Sequence, residues 1–168
     1  MKIFNSIVYV IVLLLISLNV TACTYEKIGS LNKNQIANPW TDCKNDFNKA
    51  ASIAGFSFDL VPYKYDVRAM SDMIEVSFLL NDEKEVVVRK SVKDINEGDI
   101  SGVYTKYPIN DVLDLKKGDK INIRRDVNVI YVMYFRKNGC YYSAYCERGM
   151  SVEEVESLYK MITLVESK

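Results

Sequence analysis

The segment Asp99-Ile100-Ser101-Gly102 has the residue types of a ligand loop. Asp99 and Ser101 offer oxygens, and Gly98 and Gly102 allow close backbone approach. The commoner use of such a segment is an Asx- or serine-stabilised turn between strands. It is too small for a calcium loop and lacks the spaced acidic ligands one needs. Tyr131, Tyr134, Tyr141, Tyr142 and Tyr145 crowd one expected hairpin. Rings with polar tips can bind sugars or peptides, but they also make strands and fill cores. The candidate ligand-binding set is Asp99, Ser101, Tyr104 and Tyr142. Arg89, Lys90, Arg124 and Arg125 fall on strands, where they can receive an anion or pair with carboxylates on a solvated face.

The 168-residue chain has no histidine. That excludes Ser-His-Asp and Cys-His catalysis, His-ligated zinc and imidazole switching. Cys43, Cys140 and Cys146 make a weak metal site without imidazole, so neither metal nor cofactor is expected. Cys140 and Cys146 lie ~20 Å apart on one extended strand and should not pair. Cys43 could pair with either, or all three thiols could stay reduced. Basic and acidic residues balance at 22 each, which gives no electrostatic case for nucleic acid.

The fourth cysteine has different surroundings. Lys2 precedes the apolar run Ile7–Val20, which is too short for a comfortable membrane span and has the marks of a secretion signal. The run ends in Val20-Thr21-Ala22-Cys23, which resembles the lipobox of bacterial lipoproteins. The resemblance implies that the Cys23 thiol is alkylated by a diacylglyceryl group and that the chain is cut before it. A thiolate is the side-chain nucleophile suited to that step. Residues 1–22 are then the signal, Cys23 begins a lipidated tether to residue 37, and residues 38–168 form one domain. Several acyl chains give durable attachment, at ~0.8 kcal/mol per buried methylene.

The elements behind these groups read as α+β: an antiparallel sheet of seven or eight strands flanked by an N-terminal and a C-terminal helix. The spacing of Phe47, Ala50, Ala51 and Ala54 predicts a helix over 42–54, with Gly55 at its end. Phe56–Val61 and Tyr65–Ala69 read as short strands. Met73–Leu80 alternates, with Ile74, Val76, Phe78 and Leu80 pointing one way and Glu75 and Ser77 the other, and Glu85–Ser91 returns from it. A long irregular stretch, 92–107, leads to a hairpin around Gly118. Val127–Arg136 is apolar on both faces and predicts a strand covered on both sides. Asn138-Gly139 turns it into Cys140–Glu147. Ser151 and Glu154 then form a capping box, with Met150 stapled to Val155. They open a helix to Val165 that buries Val155, Leu158, Tyr159 and Ile162.

Asn38-Pro39-Trp40, Gly55-Phe56, Arg89-Lys90, Asp99-Ile100-Ser101-Gly102 with Tyr104, and Gly149-Met150-Ser151 together resemble a domain of unknown function. That domain occurs in small lipoproteins of low-GC Gram-positive bacteria and in membrane proteins similar to anti-sigma factors. The resemblance covers 38–164, with Val103 standing where the family usually has an acidic residue. It implies a fold and an extracytoplasmic, membrane-anchored address, and no reaction. The expected function is a non-catalytic binding module for a small ligand or an envelope protein. The alternatives are an envelope sensor with an anti-sigma-like partner and a histidine-free hydrolase.

Overall fold

The first element past Trp40 is a strand. The structure, a computed structural model, describes residues 38–165 apart from 61 and 117. The expected signal, Cys23 and the tether lie outside the described residues. Thr41–Lys44 (β1) pairs antiparallel with Tyr65–Met70 (β2). The first helix, α1, therefore spans Phe47–Ala54 and does not begin at Asp42. Asp42 accepts the Lys44 amide at 2.7 Å instead, and Lys44 has φ 55, so the chain turns before it can coil. Asp46 is the N-cap and accepts the Lys49 amide at 2.9 Å. Gly55, at φ 83, closes the helix. Ala50 and Ala54 are its buried residues.

Residues 56–61 were expected to be a strand, and 56–60 belong to no ladder. The alternation there is real: Phe58 and Leu60 are 1% and 0% exposed. They fill the core from a segment that lies outside the sheet.

The remaining strands are Met73–Leu80 (β3), Lys84–Ser91 (β4), Ile109–Asp114 (β5), Lys120–Asp126 (β6), Val129–Lys137 (β7) and Cys140–Met150 (β8). They form one antiparallel sheet in the order β1-β2-β3-β4-β8-β7-β6-β5. Two four-stranded meanders are thus joined side by side through β4 and β8. The closing helix, α2, spans Val152–Val165. The expected capping box is present: the Glu154 amide donates to Ser151 Oγ at 3.2 Å, and the Ser151 amide donates to Glu154 Oε2 at 2.8 Å. Among the described residues the fold class is α+β, with eight strands and two α-helices.

One sheet face carries Ile74, Val76, Val86, Val88, Ala144, Met133 and Ile123, and it forms a single core with Phe58, Leu60, Leu158 and Ile162. All of this lies in the compact unit that begins at Pro39, so that unit holds its own core. β8 runs on through Gly149 to Met150, past the expected end at Glu147, because a bulge lets Met150 pair with Ile130. Val127 was expected inside β7, but it lies in the preceding turn and is 65% exposed.

The other face is set by topology. β4 ends in the fourth position of the sheet and β5 starts in the eighth. The connecting chain, 92–108, must cover four strand intervals, ~19 Å. Its contacts with Arg89 on β4 and Arg124 on β6 place it across the outer face of β8, β7 and β6. This crossover contains Asp99-Ile100-Ser101-Gly102.

The expected option of a disulfide from Cys43 to Cys140 or Cys146 is not realised, and all three are free thiols. Cys43 lies on β1 and the others on β8, four intervals apart in the sheet, whereas a disulfide needs Cα atoms within ~7 Å. Burial pushes the Cys43 and Cys146 thiols up, which keeps them protonated and unreactive.

Candidate functional site

The crossover is fastened from below by arginines. On the outer face Glu75 (β3) stands between Arg68 (β2) and Arg89 (β4) in register. It points away from Ile74 and Val76 as the alternation predicts, and it is nevertheless 1% exposed. Arg68 Nε donates to one carboxylate oxygen at 2.8 Å and Arg89 Nε to the other at 2.8 Å. The Trp40 ring lies over both guanidinium groups, at 5.8 and 5.1 Å. A buried carboxylate is tolerable when paired and hydrogen-bonded in this way.

Arg89 also reaches up, and its Nη1 donates to the Ile100 carbonyl at 3.1 Å. This explains Gly102. The position has φ 69, and a Cβ there would overlap Arg89 Nη1. Asp99 Oδ1 accepts the Ser101 amide at 2.8 Å, and Ser101 Oγ accepts the Val103 amide at 3.2 Å. The other Asp99 oxygen is ion-paired to Arg124, whose Nη1 donates to the Val103 carbonyl at 2.9 Å. Asp99 and Ser101 are 4% and 6% exposed. The Asx turn is therefore present, and it is locked at two carbonyls and one carboxylate.

Beyond the lock the chain opens into a groove of about 680 Å³. Its walls include Tyr104, Lys106 and Tyr107 from the crossover, Asn110 from β5, Arg124 from β6 and Tyr134 from β7. Tyr107 stacks on Tyr131 at 4.8 Å and bonds to Tyr145, and burial pushes the Tyr107 and Tyr145 phenols up. Tyr104, by contrast, is 89% exposed at the rim.

The structure brings three of the four candidates together. Asp99 and Ser101 fix the loop, and Tyr104 is presented by it. Tyr142 lies on the opposite face, fully buried, stacked on Phe135 at 5.1 Å and edge-on to Phe58 at 6.2 Å. Of the five hairpin tyrosines only Tyr142 is fully buried, and the other four are half-buried.

The basic residues divide by strand parity. Lys90, beside Arg89, faces the core, donates to the Ser57 carbonyl at 2.9 Å and lies near the Phe56, Phe58 and Tyr142 rings. It is not on a solvated face as expected. Arg125 pairs with Asp111 at 3.1 Å. Sequence reasoning missed Glu75, Arg68 and Trp40. The available signal was a carboxylate in an apolar strand with an arginine in each neighbouring run.

Among the described residues no group of three Cys, Asp or Glu side chains is placed to hold a metal, and no helix is long and apolar enough to cross a membrane. Comparison of the chain with family models, curated proteins and solved structures finds no match.

Proposed function

We propose that this protein is a lipid-anchored, extracytoplasmic binding module that does no chemistry on its ligand, and that the ligand lies in the groove beside the 92–108 crossover. The observation that carries the reading is Tyr104, an aromatic ring left in water on a loop whose backbone is held by Arg89 and Arg124. Long irregular loops are uncommon in compact domains unless they function, and a side chain on an immobilised loop is pre-organised for a partner. Rings with polar neighbours such as Asn110 and Lys106 suit a small polar ligand or a segment of an envelope protein. The non-catalytic part rests on Asp99, the carboxylate nearest the lock, being neutralised by Arg124. The anchor rests on Cys23 and the signal before it.

A photo-crosslinking residue at Tyr104 should give a discrete adduct in the cell envelope. The same residue at Tyr63, which is 81% exposed and sits beside β2, five strand positions from β6, should not. Identical products from both positions would remove the groove from consideration. For the anchor, Cys23→Ser should abolish metabolic palmitate labelling and release the protein or leave it unprocessed. Normal labelling and envelope retention of that variant would refute lipidation.

A further inference from the structure

A second concavity lies on the other side of the sheet, away from the crossover. α2, the β5–β6 turn and the end of β7 enclose a cavity of about 280 Å³. Its floor is apolar: Leu115 and Tyr159 are 7% and 9% exposed, and Leu164, 66% exposed, forms one lip. Its charged groups are three lysines, Lys116, Lys137 and Lys160, and two acids, Asp119 and Glu156.

Both acids are already engaged. Glu156 pairs with Lys116 at 3.1 Å. Asp119 accepts from the Tyr159 hydroxyl; burial first, and then that carboxylate, push this phenol up to about 12. The Thr163 hydroxyl turns back to the Tyr159 carbonyl at 2.9 Å and offers the cavity only a small, satisfied group. Among the described residues no ion pair engages Lys137 or Lys160. Lys137 Nζ is held over the Tyr159 ring at 5.7 Å, so its charge hangs above the apolar floor. The cavity thus carries one net positive charge at its rim over a hydrocarbon bed.

We infer that this cavity binds a medium-chain carboxylate, with its head between Lys137 and Lys160 and its unbranched chain along Leu115, Tyr159 and Leu164. The carboxylate supplies the negative charge that the rim lacks, and charge-assisted bonds to ammonium groups select it over a neutral head. The apolar floor takes the chain by burial. Length follows from volume: at ~30 Å³ per water-sized group, the cavity holds about nine or ten heavy atoms, enough for a nine-carbon tail with its carboxylate at the rim. Most small-molecule sites have this combination of an apolar bed and a few convergent polar groups. The site is independent of the groove at Tyr104, and neither reading needs the other.

Decanoate, kept below its micelle concentration, is titrated into the unit from Pro39 onward and followed by calorimetry and amide NMR. One saturable site is expected, with shifts centred on Tyr159, Thr163 and the end of β7. Decanol has the same chain and a neutral head, and should bind about tenfold more weakly. Lys137→Gln combined with Lys160→Gln should erase that preference while α2 keeps its amide spectrum. Leu164→Glu, at the exposed lip of the cavity, should abolish binding by either ligand while the amide spectrum keeps its dispersion. Tyr104→Ala should leave decanoate binding untouched, which separates this site from the groove. Absence of saturable decanoate binding, equal binding of decanoate and decanol, or an unchanged preference in the double lysine variant would each overturn the assignment.

Discussion

Glu75→Ala should destabilise the domain by ~3–5 kcal/mol, the cost of breaking a buried ion pair from one side. The carboxylate is 1% exposed and accepts from two arginines. Its removal leaves Arg89, whose side chain is 18% exposed, charged under the crossover with no counter-ion opposite it in the ladder. Arg68 is 47% exposed and can turn to water, which moves the expected cost toward the lower end of the range. A second effect separates this substitution from an ordinary core defect. Arg89 also holds the Ile100 carbonyl, so the crossover should loosen with it. Denaturant unfolding reads the first effect. Amide exchange at Ser101 and Val103, whose protons sit in the locked turn, reads the second. A loss under 1 kcal/mol with unchanged exchange would mean that the arginines do not fasten the loop.

The second large effect belongs to α2. Leu158 and Ile162 are both fully buried against the sheet, near the Phe135–Tyr159 contact. Truncating either to Ala removes buried methyl groups and leaves a cavity, for ~2–5 kcal/mol. A domain of this size has ~5–15 kcal/mol in total, so melting should fall by many degrees. Ser151→Ala removes one reciprocal bond of the capping box and should cost ~0.5–2 kcal/mol. Urea midpoints of the three variants of the unit from Pro39 onward would rank them. If both core truncations prove milder than loss of the cap, α2 does not cover the sheet in solution.

Local signals in the sequence were legible where local chemistry decides. Ser151 and Glu154 specify a helix start because both partners lie within one turn. Asn138-Gly139 specifies a hairpin because both residues tolerate positive φ, and they have φ 52 and 79. The β3 alternation separates Ile74, Val76 and Phe78 from Glu75 and Ser77 correctly. What alternation cannot say is what lies over each face. Glu75 reads as solvated until the order β2-β3-β4 puts an arginine on either side and the crossover roofs Arg89. The order itself hangs on β4 pairing with β8, which no short-range signal announces. The same gap explains the grouping of Tyr142 with Asp99: they lie on opposite faces, and only the register of β8 tells them apart. β1 was missed because four residues carry little pattern, and nothing local shows that β2 lies beside them.

The β4–β8 seam has a consequence for assembly. Every other ladder joins strands that follow one another along the chain, whereas this one sets Val88 against Ala144. Contacts between such distant residues pay loop-closure entropy before they return any stabilisation, so they form late. Until they form, β4 and β8 are each the bare edge of a four-stranded half, and a bare edge pairs with any matching strand. A second copy offers a perfect match, and the 92–108 crossover is long enough to reach across to it. Exchange of halves between two chains is thus the expected misassembly, visible as a dimer when the protein is refolded concentrated and absent when it is refolded dilute.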